Sequence, residues 1–391
     1  MFTKKINKRI FLDYASITPI EKEVTKVMDE YSKNNFANPS SLYEEGINAK
    51  EIMKESREKI ANLLGGRANE IIFTSGGTES NNLALLGVFE KAFKNGILKP
   101  HIITTNIEHP AILEVCSEIE RRGGEVTYIS VSEEGLISTK EVLGAVKENT
   151  ILVSTMYANN EIGTIQPIKE IGKVIKNWKE KNKTNYPYFH TDACQAALHL
   201  PLDVSKLGVD LMTLDSIKMY GPRGIGLLYV KSGIQISPIL HGGGQEKGYR
   251  SGTENVSAIL GFAKAFEIAK NLCESESTRL SSIRDYGIKF ICKNFSNSHV
   301  NGSLTERLPN NINICFPDSD SEFLVISLDV LGISVSYSSA CRTIRENSSS
   351  YVISALGKEN CSLSSLRITL GRETQKKDID ILVKELKKII V

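Results

Sequence analysis

The sequence lacks the features that mark secreted, membrane-spanning or nucleic-acid-binding chains. Its seven cysteines are odd in number and include no C-x-x-C pair, so neither a disulfide framework nor a zinc or other metal site is expected. Most of Cys116, Cys194, Cys273, Cys292, Cys315, Cys341 and Cys361 are expected to be small buried apolar residues. Lysine and arginine form no basic block and the formal net charge is only +2, which argues against a DNA or RNA partner. No uninterrupted apolar stretch approaches the length of a membrane span. The lysines after Met1 are followed at once by the strand-like Ile10-Phe-Leu-Asp13, so no signal peptide or long transit segment is expected. A reducing, cytoplasmic setting fits.

What is present points to an α/β enzyme. A chain of 391 residues suits one large domain and a smaller one. Short apolar runs such as Ile71–Ser75, Ile102–Thr105, Ile151–Thr155, Tyr188–Thr191, Leu211–Leu214 and Gly226–Val230 lack clean alternation, as strands buried on both faces do. Helical patterns over Thr78–Phe93, Pro110–Arg122 and Ile168–Lys181 lie between them. This βα rhythm predicts a mainly parallel sheet between helices. After residue 255 the rhythm changes. A helical stretch over Asn255–Phe295, broken at most at Glu274–Thr278, leads into alternating strands and helices of an α+β unit. The expected division is an N-terminal segment (1–20) packing with the small domain, a large domain (21–258) and a small C-terminal domain (259–391).

Five strings carry chemistry. Thr74-Ser-Gly-Gly-Thr-Glu-Ser-Asn-Asn82 joins a strand to a helix start, where glycines, free amides and the Thr78 hydroxyl can hold a phosphate; a capped glycine turn gives the same string. In His190-Thr-Asp-Ala-Cys-Gln195, a strand-end aspartate can pair with a protonated ring nitrogen, or simply cap a helix. Lys218, between a buried strand and the glycine-rich turn Gly221-Pro-Arg-Gly-Ile-Gly226, can form a Schiff base with an aldehyde. Ser338-Ser-Ala-Cys-Arg342 places a thiol among small residues on a loop, within reach of a substrate. Arg367, in Ser364-Ser-Leu-Arg-Ile-Thr-Leu-Gly-Arg372, suits two-pronged binding of a carboxylate.

The order and spacing of these strings, with Leu12-Asp-Tyr-Ala15, Phe36-Ala-Asn-Pro-Ser-Ser41, Glu108-His-Pro-Ala-Ile112, Asn159-Asn-Glu-Ile-Gly163, Gly242-Gly-Gly-Gln-Glu246, Arg250-Ser-Gly-Thr253, Leu308-Pro-Asn-Asn311 and Ser339-Ala-Cys341, resemble the cysteine desulfurases. These are the class V aminotransferase branch of the fold-type I enzymes that use pyridoxal 5'-phosphate (PLP). The resemblance runs from Ile10 to the C-terminus. It implies that Lys218 carries PLP, Asp192 pairs with its ring nitrogen, His109 stacks on the ring and moves protons, and Asn160 and Gln195 lie near the ring oxygen and the substrate. Gly77 and Thr78 would bind the phosphate. Thr253 would reach the phosphate of a neighbouring protomer, implying a homodimer. Arg367 would clamp the carboxylate of L-cysteine, and Cys341 would take its sulfur as a persulfide. A sulfur-acceptor protein, such as an iron–sulfur scaffold or a tRNA-thiolation protein, would receive it. A selenocysteine lyase, or a weakly active scaffold or regulator of sulfur transfer, are the alternative readings. A plain aminotransferase would have no use for the loop cysteine.

The chain departs from the family pattern beside Lys218. Serine three residues before that lysine and histidine one before it are usual there; this chain has Asp215 and Ile217. Two phosphate donors are lost and a carboxylate is gained. Two like charges about 4 Å apart in a partly screened site repel by roughly 4 kcal/mol. Asp215 is therefore expected to turn away, be protonated, find a cation or weaken PLP binding. Strand alternation points Ser216 away from the site. Ile17, Gln245, Lys247, Tyr337, Ser338 and Arg342 are smaller departures.

Overall fold

The computed structural model of the protein describes residues 9–337 and 349–390. In chain order, the first part holds β1 (Ile10–Phe11), α1 (Lys22–Asn34), α2 (Glu44–Leu64), β2 (Ile71–Thr74), α3 (Gly77–Lys94), β3 (His101–Thr105), α4 (Pro110–Arg121) and β4 (Glu125–Ile129). Next come α5 (Thr139–Gly144), β5 (Thr150–Met156), α6 (Ile168–Asn182), β6 (Tyr188–Asp192), α7 (Val204–Leu207), β7 (Leu211–Asp215) and β8 (Gly226–Val230). The remainder is α8 (Val256–Asn294), β9 (His299–Val300), β10 (Asn311–Cys315), α9 (Ser321–Val330), β11 (Ile333–Ser334), α10 (Tyr351–Ala355), β12 (Ser365–Thr369) and α11 (Lys376–Ile389).

The apolar runs pair as a seven-stranded sheet in the order β2-β8-β7-β6-β5-β3-β4. Strands β7, β6, β5, β3 and β4 are parallel, whereas β8 runs antiparallel to both neighbours. The sheet is therefore mainly parallel, as the βα rhythm predicts, with β8 the exception. Successive residues point to opposite faces. Phe73, Phe189 and Leu214 pack on one side with Ile60, Ile171 and Phe262 of the covering helices. Ile72, Leu152 and Leu211 pack on the other with Leu83, Val88 and Ile112. Burial on both faces is what removes the polar–apolar alternation from the strand sequences.

Helix α8 runs unbroken for 39 residues, through Glu274–Thr278. Its first half contributes Ala258, Phe262 and Phe266 to the large core, and its second half contributes Leu280 and Ile291 to another. That second core contains Ile312, Ile314, Leu366 and Ile368 from an antiparallel sheet of order β12-β10-β9. Leu12 belongs to it as well, and β1 pairs in parallel with β11. Residues 10–21 thus run from the small core to the turn that follows β7, where the Thr18 amide donates to Ile217 O.

One expectation is corrected. Cys315, closing β10, and Cys361 form a disulfide with Cα atoms 5.4 Å apart, 46 residues apart in sequence. Cysteine spacing detects only local pairs; the contact of β10 with the turn before β12 creates this one. No helix among the described residues is long and apolar enough to cross a membrane.

Candidate active site

A cavity of ≈ 160 Å³ lies where the parallel strands end, lined by Ser16, Gly77, His109, Asn160, Asp192 and Lys218 among others. Its position follows from topology: loops leaving the carboxyl ends of parallel strands converge at a crevice. Thr78, Gln195 and Arg367 also line it, as do Cys194, Asp215 and Ile217. Of the residues expected in the site, the fold thus gathers Gly77, Thr78, His109, Asn160, Asp192, Gln195, Lys218 and Arg367. Thr253 is exposed and does not line this cavity within one chain. Cys341 lies outside the described residues.

Asp192 ends β6, and its two oxygens are held apart by two donors. Oδ2 accepts from Asn81 Nδ2 at 2.7 Å and Oδ1 from the Cys194 amide at 3.0 Å. Both partners come from the phosphate and aspartate strings, yet the sequence gives no sign that Asn81 serves Asp192. Lys218, in the 3-10 turn after β7, donates from Nζ to the carbonyls of Ala15 (2.9 Å) and Ser16 (2.6 Å). Gln195 Nε2 also donates to Ala15 O, at 2.9 Å. The N-terminal segment is therefore part of the site wall.

His109 caps α4 and accepts the Ala111 amide on Nδ1 at 3.1 Å, which leaves Nε2 to carry the proton of the neutral ring. Burial is the main influence and holds its pKa below the usual histidine range; Asp192 pulls the other way, and Lys218 adds a smaller downward push. The preceding residue, Glu108, is fully enclosed. Its Oε1 accepts from Thr105 Oγ1 and from the Met156 amide, each at 2.8 Å, tying the ends of β3 and β5 together under His109. Burial pushes this carboxyl up to about 8.

Arg367 projects from β12 and is almost wholly buried. Its Nη1 donates to Asn160 O at 3.1 Å; Nη2 donates to Asp13 Oδ1 (2.9 Å) and Ser16 Oγ (2.8 Å). Arg367 Nε and Asn160 Oδ1 are buried polar atoms with no hydrogen-bond partner among the described residues. Such atoms are costly to leave unpaired, so two cavity-lining groups remain able to bind a polar ligand.

At the other end of the cavity, Asp215 Oδ2 accepts the Gly77 amide at 2.8 Å and Oδ1 accepts the Ile217 amide at 3.1 Å. Ser216 is turned away: its Oγ is buried without a partner, and a Cβ on Gly221 would fall 2.1 Å from it.

The chain matches known proteins over nearly its whole length. The aminotransferase class-V family model matches residues 10–382. The chain is 43% identical over 386 residues to the cysteine desulfurase IscS of Dictyoglomus turgidum, covering 98% of this chain and 95% of that protein. A solved NifS-like protein superposes with a TM-score of 0.89 at 34% identity, covering 98% of this chain and 99% of that one. A structure described as SspA in complex with cysteine superposes at 0.79 with 34% identity, covering 93% and 99%.

PLP is the cofactor of that class, and the residues present accommodate its ring. A lysine and a strand-end aspartate share the cavity, and the unpaired Asn160 Oδ1 and Arg367 Nε supply polar capacity beside them. The phosphate end differs, because a side-chain carboxylate already holds the first amide of α3.

Proposed function

This chain belongs to the class V aminotransferase family, as a PLP-dependent cysteine desulfurase, and we propose the following division of labour among its residues. The observation that carries it is one cavity holding Lys218, Asp192, His109 and Arg367 together. When bound, PLP supplies a sink for the charge that develops at the substrate α-carbon. Lys218 would hold the cofactor, and Asp192, oriented by Asn81 and the Cys194 amide, would face its ring nitrogen. Once substrate has replaced it, the Lys218 amine would take the α-proton as a general base. His109, kept neutral by burial, would stack on the ring and shuttle protons through Nε2. Gln195 and Asn160 would contact the ring oxygen and substrate; Gly77 and Thr78 would sit at the phosphate end.

The Cys341 thiolate would attack the sulfur of L-cysteine. The S–S bond forms as the carbon–sulfur bond breaks, the carbon fragment takes up a proton to leave as L-alanine, and Cys341 keeps the persulfide. The described residues on either side of Cys341 bond to residues in or next to the cavity wall. Before it, Ser336 pairs with Arg367 through backbone bonds. After it, Ser350 Oγ donates to Glu161 Oε2 at 2.5 Å and the Tyr351 hydroxyl donates to Glu108 O. A homodimer in which Thr253 reaches the partner's cofactor, a cytoplasmic setting and a sulfur-acceptor protein such as an iron–sulfur scaffold complete the proposal.

The direct test is formation of L-alanine from L-cysteine by the purified chain with PLP and reductant. Alanine in step with sulfide is expected. Its absence across PLP concentrations, with selenocysteine consumed instead, would move the assignment to the lyase. The proposed substrate clamp has its own test. Arg367→Lys keeps the charge but loses the planar fork, so KM for L-cysteine should rise roughly 10- to 100-fold, matching the loss of one charge-assisted hydrogen bond. An unchanged KM would place the substrate carboxylate elsewhere.

A further inference from the structure

We infer that Asp215 is a resident anion in the phosphate cradle, and that it sets how strongly this protein prefers PLP over phosphate-free pyridoxal. The inference rests on the reading that Lys218 and its cavity hold PLP. It concerns only the cradle, where this chain's own residues have changed.

The first amides of a helix are donors without intrahelical partners, and the helix dipole favours an anion there. Gly77 opens the 18-residue α3. Its amide is already satisfied by Asp215 Oδ2 at 2.8 Å, across 138 residues of sequence. The contact is close because both flanking residues lack side chains: a Cβ on Gly76 would lie 3.3 Å from Oδ2, and one on Gly77 3.2 Å from it. The other carboxylate oxygen is fixed by the Ile217 amide at 3.1 Å. The carboxylate thus bridges the end of β7 and the start of α3, where a phosphate oxygen would be received.

The two residues between Asp215 and Lys218 add no side-chain donor to the cradle. Ile217 lines the cavity with an apolar side chain, and Ser216 points into the packing against Gly221. Among the described residues, Lys218, Asp192 and Cys194 are the titratable groups that act on Asp215. Lys218 attracts it, Asp192 repels it, and the half-buried Cys194 thiol packs against Gly77, 2.9 Å from where its Cβ would lie. Burial is the largest influence on Asp215 and raises its pKa, while its two amide bonds and Lys218 lower it. A phosphate dianion entering the cradle must displace the carboxylate from Gly77 or meet it protonated. Either route removes part of the free energy that phosphate contributes. Lys218 and Asp192 act on the ring and its aldehyde, which PLP and pyridoxal share. The phosphate should therefore add little selectivity.

The experiment is a titration of the purified full chain with PLP and, separately, with pyridoxal, read by the visible absorbance of lysine-bound cofactor. Wild type, Asp215→Ser and Asp215→Asn are compared. The wild-type Kd values for the two ligands should lie within about tenfold of each other, and Asp215→Ser should widen the gap at least about tenfold, a modest share of the like-charge repulsion expected in such a site. The change should come from tighter PLP, with the pyridoxal Kd moving by less than about threefold, because only PLP carries the charge that meets Asp215. Asp215→Asn keeps the side-chain shape and removes the charge, so it should shift the ratio in the same direction. A ratio unchanged in both variants, with absorbance still formed, overturns the inference and leaves the PLP site intact. No absorbance with either ligand in any variant overturns the PLP-site reading together with it.

Discussion

Cys341→Ser should abolish alanine release from L-cysteine while leaving PLP binding unchanged. The serine hydroxyl at neutral pH is almost entirely protonated and cannot form a persulfide, so the step that accepts sulfur has no nucleophile. A loss of at least about a thousandfold in turnover is expected, in keeping with removal of a covalent nucleophile. Lysine-bound cofactor absorbance and its perturbation by added L-cysteine should persist, because neither Lys218 nor Arg367 is touched. Mass spectrometry of the wild type after cysteine treatment should find one added sulfur on Cys341 that the variant lacks. Sustained alanine production by the variant, or the sulfur on Cys194, would reassign the acceptor.

Lys218→Ala should lose the visible absorbance of lysine-bound PLP altogether and lower turnover by at least about a hundredfold, since the covalent attachment and the α-carbon base proposed for this lysine would be removed together. Lys218 Nζ also bonds the carbonyls of Ala15 and Ser16, so alanine there should loosen the N-terminal wall as well. Lys218→Arg separates the two effects. Arginine can still donate to those carbonyls, but it stays protonated and forms no Schiff base. It should retain the wild-type melting temperature more closely than the alanine variant and still show no absorbance. Unchanged spectra in both variants would mean that another lysine carries the cofactor.

Several residues that line the cavity stood out in the sequence because each sits in a local string with its own chemistry. The glycine turn after β2, the aspartate ending β6 and the lysine between β7 and the Gly221–Gly226 turn need only a strand end and a turn, and both are written in short-range pattern. The resemblance then ordered those strings into one site. Asp215 was visible as a substitution, with four possible fates open to it. Asn81 lay in plain view beside the phosphate glycines, but its bond to Asp192 spans 111 residues and has no local sign. Cys194 reads as a buried small residue and also lines the cavity. The cysteines misled: spacing argued against a disulfide framework and for small buried thiols, and Cys315 and Cys361 are joined.

The sequence by itself determined the βα alternation, the change to an α+β unit, the long connecting helix and the residue types available for catalysis. These depend on hydrophobic period, helix capping and turn chemistry, which act over a few residues. Only the tertiary structure decided that β8 runs antiparallel to both of its neighbours. It also decided that Arg367 is held by Asp13 and Ser16, that Cys315 meets Cys361, and that the Asp215 carboxylate rests on the Gly77 amide. Each of those contacts joins residues far apart in the chain. Strand order and register bring them together, and no local periodicity encodes either.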